Sequence, residues 1–244
     1  MNKKIILLFI MFLSLFGCKY KPISNEEFHQ LVASNNISEV NYHLENNFNV
    51  DCEINSGVTP IMTASLYNRT EIINLLIKYK AEIDKQTQSG WTALIYASKS
   101  GSFEAVKLLL DNNANMNLYL KGGENAFMEA CSAQQNKVAL LLVDRGIDLN
   151  TNKNAIGLNG LIMASNFGDI ELVKKTLQKT DDINHQNTYG ETALMRASIQ
   201  GHAEVVKFLL EKGAKKEIKD SFSNDALFYS KKFNHTEIYE ILNQ

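Results

Sequence analysis

Five histidines, three cysteines and a scatter of paired acids are the residues of this chain whose types suit catalysis or metal binding. A hydrolytic zinc site on a helix needs two histidines four residues apart with a glutamate between them. His29, His43, His185, His202 and His235 never come that close. There is no G-x-S-x-G nucleophile turn, no G-x-x-x-x-G-K-[ST] phosphate loop and no C-x-x-C pair. Asp181-Asp182 has the look of turn and surface charge, not of two carboxylates tuned apart for acid and base work. The residues therefore predict no catalytic, cofactor-binding or metal site, and no enzyme. A net charge of −2 over 244 residues lies too near neutrality to argue for nucleic acid. The remaining route to function is a binding surface, and that depends on the elements that display it.

Those elements are announced by a period. Gly57 opens GVTPIMTAS, Gly90 GWTALIYAS, Gly123 GENAFMEAC, Gly157 GLNGLIMAS and Gly190 GETALMRAS, with Ser223 opening a faded copy, at spacings of 33 or 34 residues. Such a period means one supersecondary unit stacked on itself. In the unit from Gly90, Leu94 and Ala97 share a face of a first helix that breaks at Ser100-Gly101. Glu104 to Leu110 form a second helix with an apolar stripe, which ends in the turn-formers Asn113 to Asn115. Thr59, Thr92 and Thr192 stand where a helix N-cap belongs. Ala64, Ala97, Ala130, Ala164 and Ala197 recur at one position, where a small side chain lets helices approach. The unit from Gly157 departs. It carries Lys175-Thr176 where others have Leu108-Leu109 or Phe208-Leu209, Thr180-Asp181 where others have Asn113-Ala114 or Gly213-Ala214, and an extra residue between Thr151 and Ile156. Two apolar side chains missing from a buried stripe predict a weak joint over residues 151–185.

The pattern resembles the ankyrin repeat. It is fullest in GETALMRAS, Gly201-His202, Glu204-Val205-Val206-Lys207-Phe208-Leu209-Leu210 and Gly213-Ala214. Within the repeats the family proline occurs only at Pro60, and Met62, Ile95, Met128, Ile162, Met195 and Phe228 replace the family histidine. The resemblance implies an all-α solenoid of about seven helix-turn-helix units with short β-hairpin-like connections. These are a degraded first repeat at 24–56, five repeats over 57–222 starting at 57, 90, 123, 157 and 190, and a truncated last repeat at 223–244. His202 and His235 would be structural. It also implies binding of another protein through the hairpin tips and the inner faces of the first helices. On that surface Tyr67, Trp91, Phe167, Tyr189 and Phe222 become the candidate contact residues, with Val58, Leu66 and Ile199 beside them and Lys99, Glu124 and Glu191 as a polar rim. Their alternative role is partial burial against adjacent hairpins.

Stacking places Cys52 and Cys131 three units apart, about 30 Å at 9–10 Å per helix layer, too far for a disulfide. Cys131 falls at a small core position, and Cys52, after a repeat end, is expected to be exposed. Ahead of the repeats, Lys3 and Lys4 precede the apolar run Ile5–Phe16, which is too short to span a bilayer. Leu15-Phe16-Gly17-Cys18 resembles a bacterial lipobox. That implies a signal peptide over 1–17, cleavage before Cys18, lipid on Cys18, and residues 18–23 as a tether reaching at most about 20 Å. Without Lys3 and Lys4 the mature charge is about −4. Read without that resemblance, the segment is an ordinary cleaved signal or an uncleaved anchor. With it, the chain is expected to face the periplasm or exterior from the bacterial cell membrane or outer membrane, with Lys19 pointing to the outer one. The function so implied is a membrane-anchored, non-catalytic protein-binding module of the envelope. The alternative is an immunity-type protein that neutralises a toxin, or a delivered effector, against which the lipobox argues.

Overall fold

A stripe of apolar residues on each of two short helices per unit has one economical solution, which is to stack first helices on first helices and second helices on second helices with the stripes between. A computed structural model describes residues 20–150 and 156–244. The signal segment, Cys18 and most of the insertion near Thr151 lie outside them. Among the described residues are fourteen helices. The first members of each pair are α1 (Asn25–Ala33), α3 (Pro60–Leu66), α5 (Ala93–Ser100), α7 (Ala126–Ser132), α9 (Gly160–Phe167), α11 (Ala193–Gln200) and α13 (Ala226–Lys232). The second members are α2 (Ile37–Glu45), α4 (Thr70–Lys78), α6 (Phe103–Asp111), α8 (Asn136–Asp144), α10 (Ile170–Leu177), α12 (Ala203–Glu211) and α14 (Thr236–Leu242). No helix among the described residues is long and apolar enough to cross a membrane.

Caps fix where the first helices begin. The side-chain oxygens of Thr92, Asn125, Asn159, Thr192 and Asp225 accept from the backbone N–H three residues on, at 2.8–3.3 Å. The recurring alanines 64, 97, 130, 164 and 197 are fully buried. Around them lie Ile61, Leu94, Phe127, Leu161 and Leu194 from the first helices and Ile73, Val106, Val143 and Val206 from the second.

The connections are fingers closed by a backbone bond: Ile54 N–H to Val58 O, Thr87 to Trp91, Leu120 to Glu124, Asn187 to Glu191 and Asp220 to Asn224, all at 2.8–3.0 Å. Four described fingers donate to the one before, as Gln88 N–H does to Ser56 O at 2.9 Å and Ser221 N–H to Tyr189 O at 2.9 Å. The approach is tight enough to require glycine at Gly90 (φ +90°), where a Cβ would stand 2.8 Å from Tyr119 O and 2.9 Å from Leu120 Cα. A second ladder crosses the loops after the second helices. Asp51, Asp84, Asn117, Asn150 and Asn184 each accept through a side-chain oxygen from a backbone N–H of the next unit: Glu82, Asn115, Asp148, Asp181 and Lys215.

Two expectations need correction. Cys52 is 2% exposed, not at the surface, and burial pushes its thiol up to about 12. Within the stripe of its second helix the unit from Gly157 loses one core side chain, not two; past that helix, exposed Asp181 stands where Ala81, Ala114, Ile147 and Ala214 are buried. Lys175 stands in the half-buried register of Leu108 and Phe208 and reaches out to Asp144 at 2.7 Å. Only Thr176 replaces a buried leucine, and it turns its hydroxyl onto Val173 O at 3.0 Å.

Candidate binding face

The inner face is built by register. One helical position displays Thr63, Tyr96, Glu129, Met163, Arg196 and Tyr229 in successive units, and the finger strand beside it displays Val58, Trp91, Glu124, Leu158, Glu191 and Asn224. The five candidate aromatics fall on this frame in separate places. Tyr189 (51% exposed) and Phe222 (73%) crown adjacent fingertips, and Tyr67 (50%) sits at the opposite end of a first helix, just after α3. Phe167 also lies at that far end, half-buried as the last residue of α9. Trp91, half-buried, leaves the fingertip and lies at 4.8 Å from Tyr96. The structure thus gathers Tyr189 with Phe222, and Trp91 with Tyr96, and leaves Phe167 apart.

Tyr67 and Tyr96 share a groove of about 450 Å³ whose other apolar walls are Ile54, Val58, Met62 and Leu66. His29 closes its floor. The Cys52 carbonyl can only accept, so His29 Nε2 carries the proton toward it at 3.2 Å, and Nδ1 accepts from the Thr63 hydroxyl at 2.7 Å. Burial holds this histidine below its ordinary range, against the Cys52 carbonyl and Glu26, so the floor is neutral.

Next along the face, Lys99 Nζ lies 4.8 Å from the centre of the Trp91 ring and 3.0 Å from a Glu129 carboxylate oxygen. Arg196 is tied to Asn166 Oδ1 at 2.8 and 3.1 Å and to Glu191 at 3.3 Å. The exposed fingertips are held from beneath by residues that the sequence reading passed over. Asn187 Oδ1 accepts from Tyr189 N–H and Glu191 N–H at 2.9 Å. Asp220 accepts from Phe222 N–H at 2.8 Å, from Asn224 N–H at 2.9 Å and from the Tyr229 hydroxyl. The signal was present: a Thr, Asn or Asp stands three residues before the unit start at Thr87, Asn187 and Asp220.

Burial alone would raise the Asp220 carboxyl. The Tyr229 hydroxyl and the two fingertip N–H groups outweigh it and hold the carboxyl below its usual range. A depressed carboxylate stabilises the fold above the unfolded-state value of about 3.9 and loses that contribution as pH falls through the lower folded value. Asp220→Ala leaves three donors without an acceptor and is expected to cost about 1–3 kcal/mol near neutrality. Thermal unfolding followed at decreasing pH should show the gap between the two proteins narrowing in acid. A gap that stays constant or widens in acid would refute this account of Asp220.

The histidines serve the frame. His202 Nε2 lies 3.2 Å from Asn166 O and His235 Nε2 3.1 Å from Ile199 O, each tying its unit to the previous first helix. Among the described residues no group of His, Cys, Asp or Glu is arranged to hold a metal. What the face offers is shape, aromatic area and fixed charge, which is the chemistry of recognition.

The family described as ankyrin repeats (3 copies) matches residues 28–119, 80–153 and 161–244. No curated protein sequence matches the chain. Among solved structures, it is similar to a chain in the complex of the Bd0816 predatory endopeptidase from Bdellovibrio bacteriovorus with immunity protein Bd3460. The identity is 27% and the TM-score 0.68, covering 75% of this chain and 96% of that one. The ankyrin repeat domain of Bcl-3, of the IkappaB family, is 22% identical with a TM-score of 0.75, covering 92% of this chain and 100% of that one. The human ASB11 ankyrin repeat domain is 20% identical with a TM-score of 0.77, covering 88% and 96%.

Proposed function

The chain belongs to the ankyrin-repeat family, and we propose that it is a non-catalytic scaffold of a bacterial envelope, held at the membrane by lipid on Cys18, that binds another protein through its inner face. Ankyrin repeats are protein-binding modules, and the observation that carries the finer reading is the face itself. Tyr189 and Phe222 project from fingers whose backbones are fixed by Asn187 and Asp220, so their large area is offered with little ordering left to lose. The lipobox-like Leu15-Phe16-Gly17-Cys18 supports the anchor, and the short tether from Cys18 to Ile23 would keep the first unit close to the bilayer.

Metabolic lipid labelling of the chain and its Cys18→Ala variant tests the anchor. Label retained by the variant would refute it. Crosslinked capture from the envelope, with Trp91, Tyr189 and Phe222 each replaced by alanine, tests the face. Each folded variant is expected to lose its partner by tenfold or more, on the order of the 1–2 kcal/mol that separates an anchor from a neutral contact. Variants that fold and capture normally would refute the face.

A second reading rests on the neighbour that is 27% identical and comes from a complex of an endopeptidase with an immunity protein. On that reading the partner is a peptidase, and the inner face shields it. A captured peptidase whose activity falls on adding the purified chain would establish this reading. Undiminished activity would leave the scaffold reading.

A further inference from the structure

Two cations in the helical rows of the inner face, Arg196 and Lys99, are held very differently. Arg196 is fixed by Asn166 and Glu191 together. Lys99 has a single carboxylate and the face of one ring, and its side chain remains 53% exposed. Its partner is the reverse case, because the Glu129 side chain is only 12% exposed and Lys99 is its ion-pair partner among the described residues. A carboxylate that deep in the surface needs a cation, whichever one supplies it. A lysine that exposed gives up little by leaving.

We propose that Trp91, Tyr96 and Glu129 form a pocket for an arginine side chain of the partner protein, occupied in the free chain by Lys99 as an internal stand-in. The proposal rests on the binding face argued above and names the chemistry that it reads. Three features favour arginine. The Trp91 ring, packed against Tyr96 at 31° between planes, offers a flat surface on which a guanidinium stacks. Glu129 offers two carboxylate oxygens to a planar fork that can pair with both, whereas an ammonium is a point charge. The pocket also opens onto the apolar groove, since Tyr96 lines both and Leu66 is the counterpart of Lys99 one unit earlier. A segment with an arginine beside an aliphatic residue therefore fits charge to Glu129 and hydrocarbon to Leu66 and Tyr67. The exchange replaces one cation by another, so the buried carboxylate is never left alone.

Trp91 is the only tryptophan of the chain, so under native conditions its fluorescence reports on this pocket. The test is a titration of the full chain with acetyl-Leu-Arg-amide, and in parallel with the same peptide carrying citrulline, which keeps the shape and lacks the charge. The arginine peptide is expected to give a saturable change and the citrulline peptide none. Lys99→Met removes the internal competitor and should tighten binding about fivefold, the scale of a partly exposed ion pair. Lys99→Arg keeps a competitor and should not. Glu129→Gln, with helix content checked by circular dichroism, should weaken binding at least about tenfold. Equal responses to the two peptides, or no tightening in Lys99→Met, overturn the proposal. If those results appear while the alanine variants still lose the captured partner, this inference alone fails and the binding face stands.

Discussion

Phe127→Ala will remove about 3–5 kcal/mol of stability, the usual cost of deleting a buried phenyl ring. Phe127 is 1% exposed in α7, the first helix of the fourth of seven units. Its counterparts Ile61, Leu94, Leu161 and Leu194 are as deeply buried but smaller, so the ring fills the middle of the stack more than any aliphatic side chain does elsewhere. In a solenoid each unit touches only its neighbours, and stability is a sum over those interfaces. A cavity in the fourth unit therefore weakens two interfaces at once and loosens the first three units from the last three. Urea unfolding of the variant should split into two steps. Trp91 fluorescence reports only the N-terminal half, while circular dichroism reports both, so the two probes should cease to coincide. Coincident transitions displaced by less than about 1 kcal/mol would contradict a core organised around this ring.

How much of the fold and of the face is legible in the amino-acid sequence varies from residue to residue. The seven helix pairs, the buried alanines and the caps at Thr92 and Thr192 follow from a period of 33 with polar and small residues in constant register. Side-chain reach was harder. Lys175 reads as a lost core leucine until the helix phase shows that its counterparts Leu108 and Phe208 are themselves half-buried. Cys52 follows a helical unit and so reads as exposed, yet its side chain is buried and His29 holds its carbonyl. The ankyrin resemblance puts Tyr67 and Phe167 on one surface with Trp91 and Tyr189. A repeat fixes the axial step but not which end of the first helix a residue marks, and these two mark the end away from the fingertips. The Asp/Asn ladder from Asp51 to Asn184 has the same period, but short polar residues in loops are expected for turns in any case. Its inter-unit role is visible only as hydrogen bonds.

The joint at α10 sharpens into a quantitative expectation. Thr176 holds the place of Leu76, Leu109, Leu142 and Leu209, each fully buried. Its hydroxyl is satisfied locally on Val173 O, so no unmet donor is added, and the deficit is the missing hydrocarbon, about 2 kcal/mol. Against that stand polar ties to the preceding unit: Lys175 to Asp144, Lys179 Nζ to the Val143 carbonyl, and Asn136 to Asp169 at 2.7 Å. Lys175 and Asp144 are one-third and one-half exposed, so that ion pair contributes at most about 1 kcal/mol and does not restore the loss. Amides of α10 should therefore exchange with solvent roughly 30-fold faster than those of α6 or α8, the ratio that a 2 kcal/mol deficit gives when opening is local. Thr176→Leu should close most of that gap. Protection equal to α6 and α8 in the natural chain would show that the polar ties win and that the joint is no weaker than its neighbours. The same measurement connects the joint to binding. Trp91 and Tyr189 lie on opposite sides of this unit's inner face, so a partner that engages both bridges the joint and favours its closed form. Adding such a partner should slow exchange in α10, on the outer layer, where the partner makes no contact. A partner that engages only one side should leave α10 unchanged.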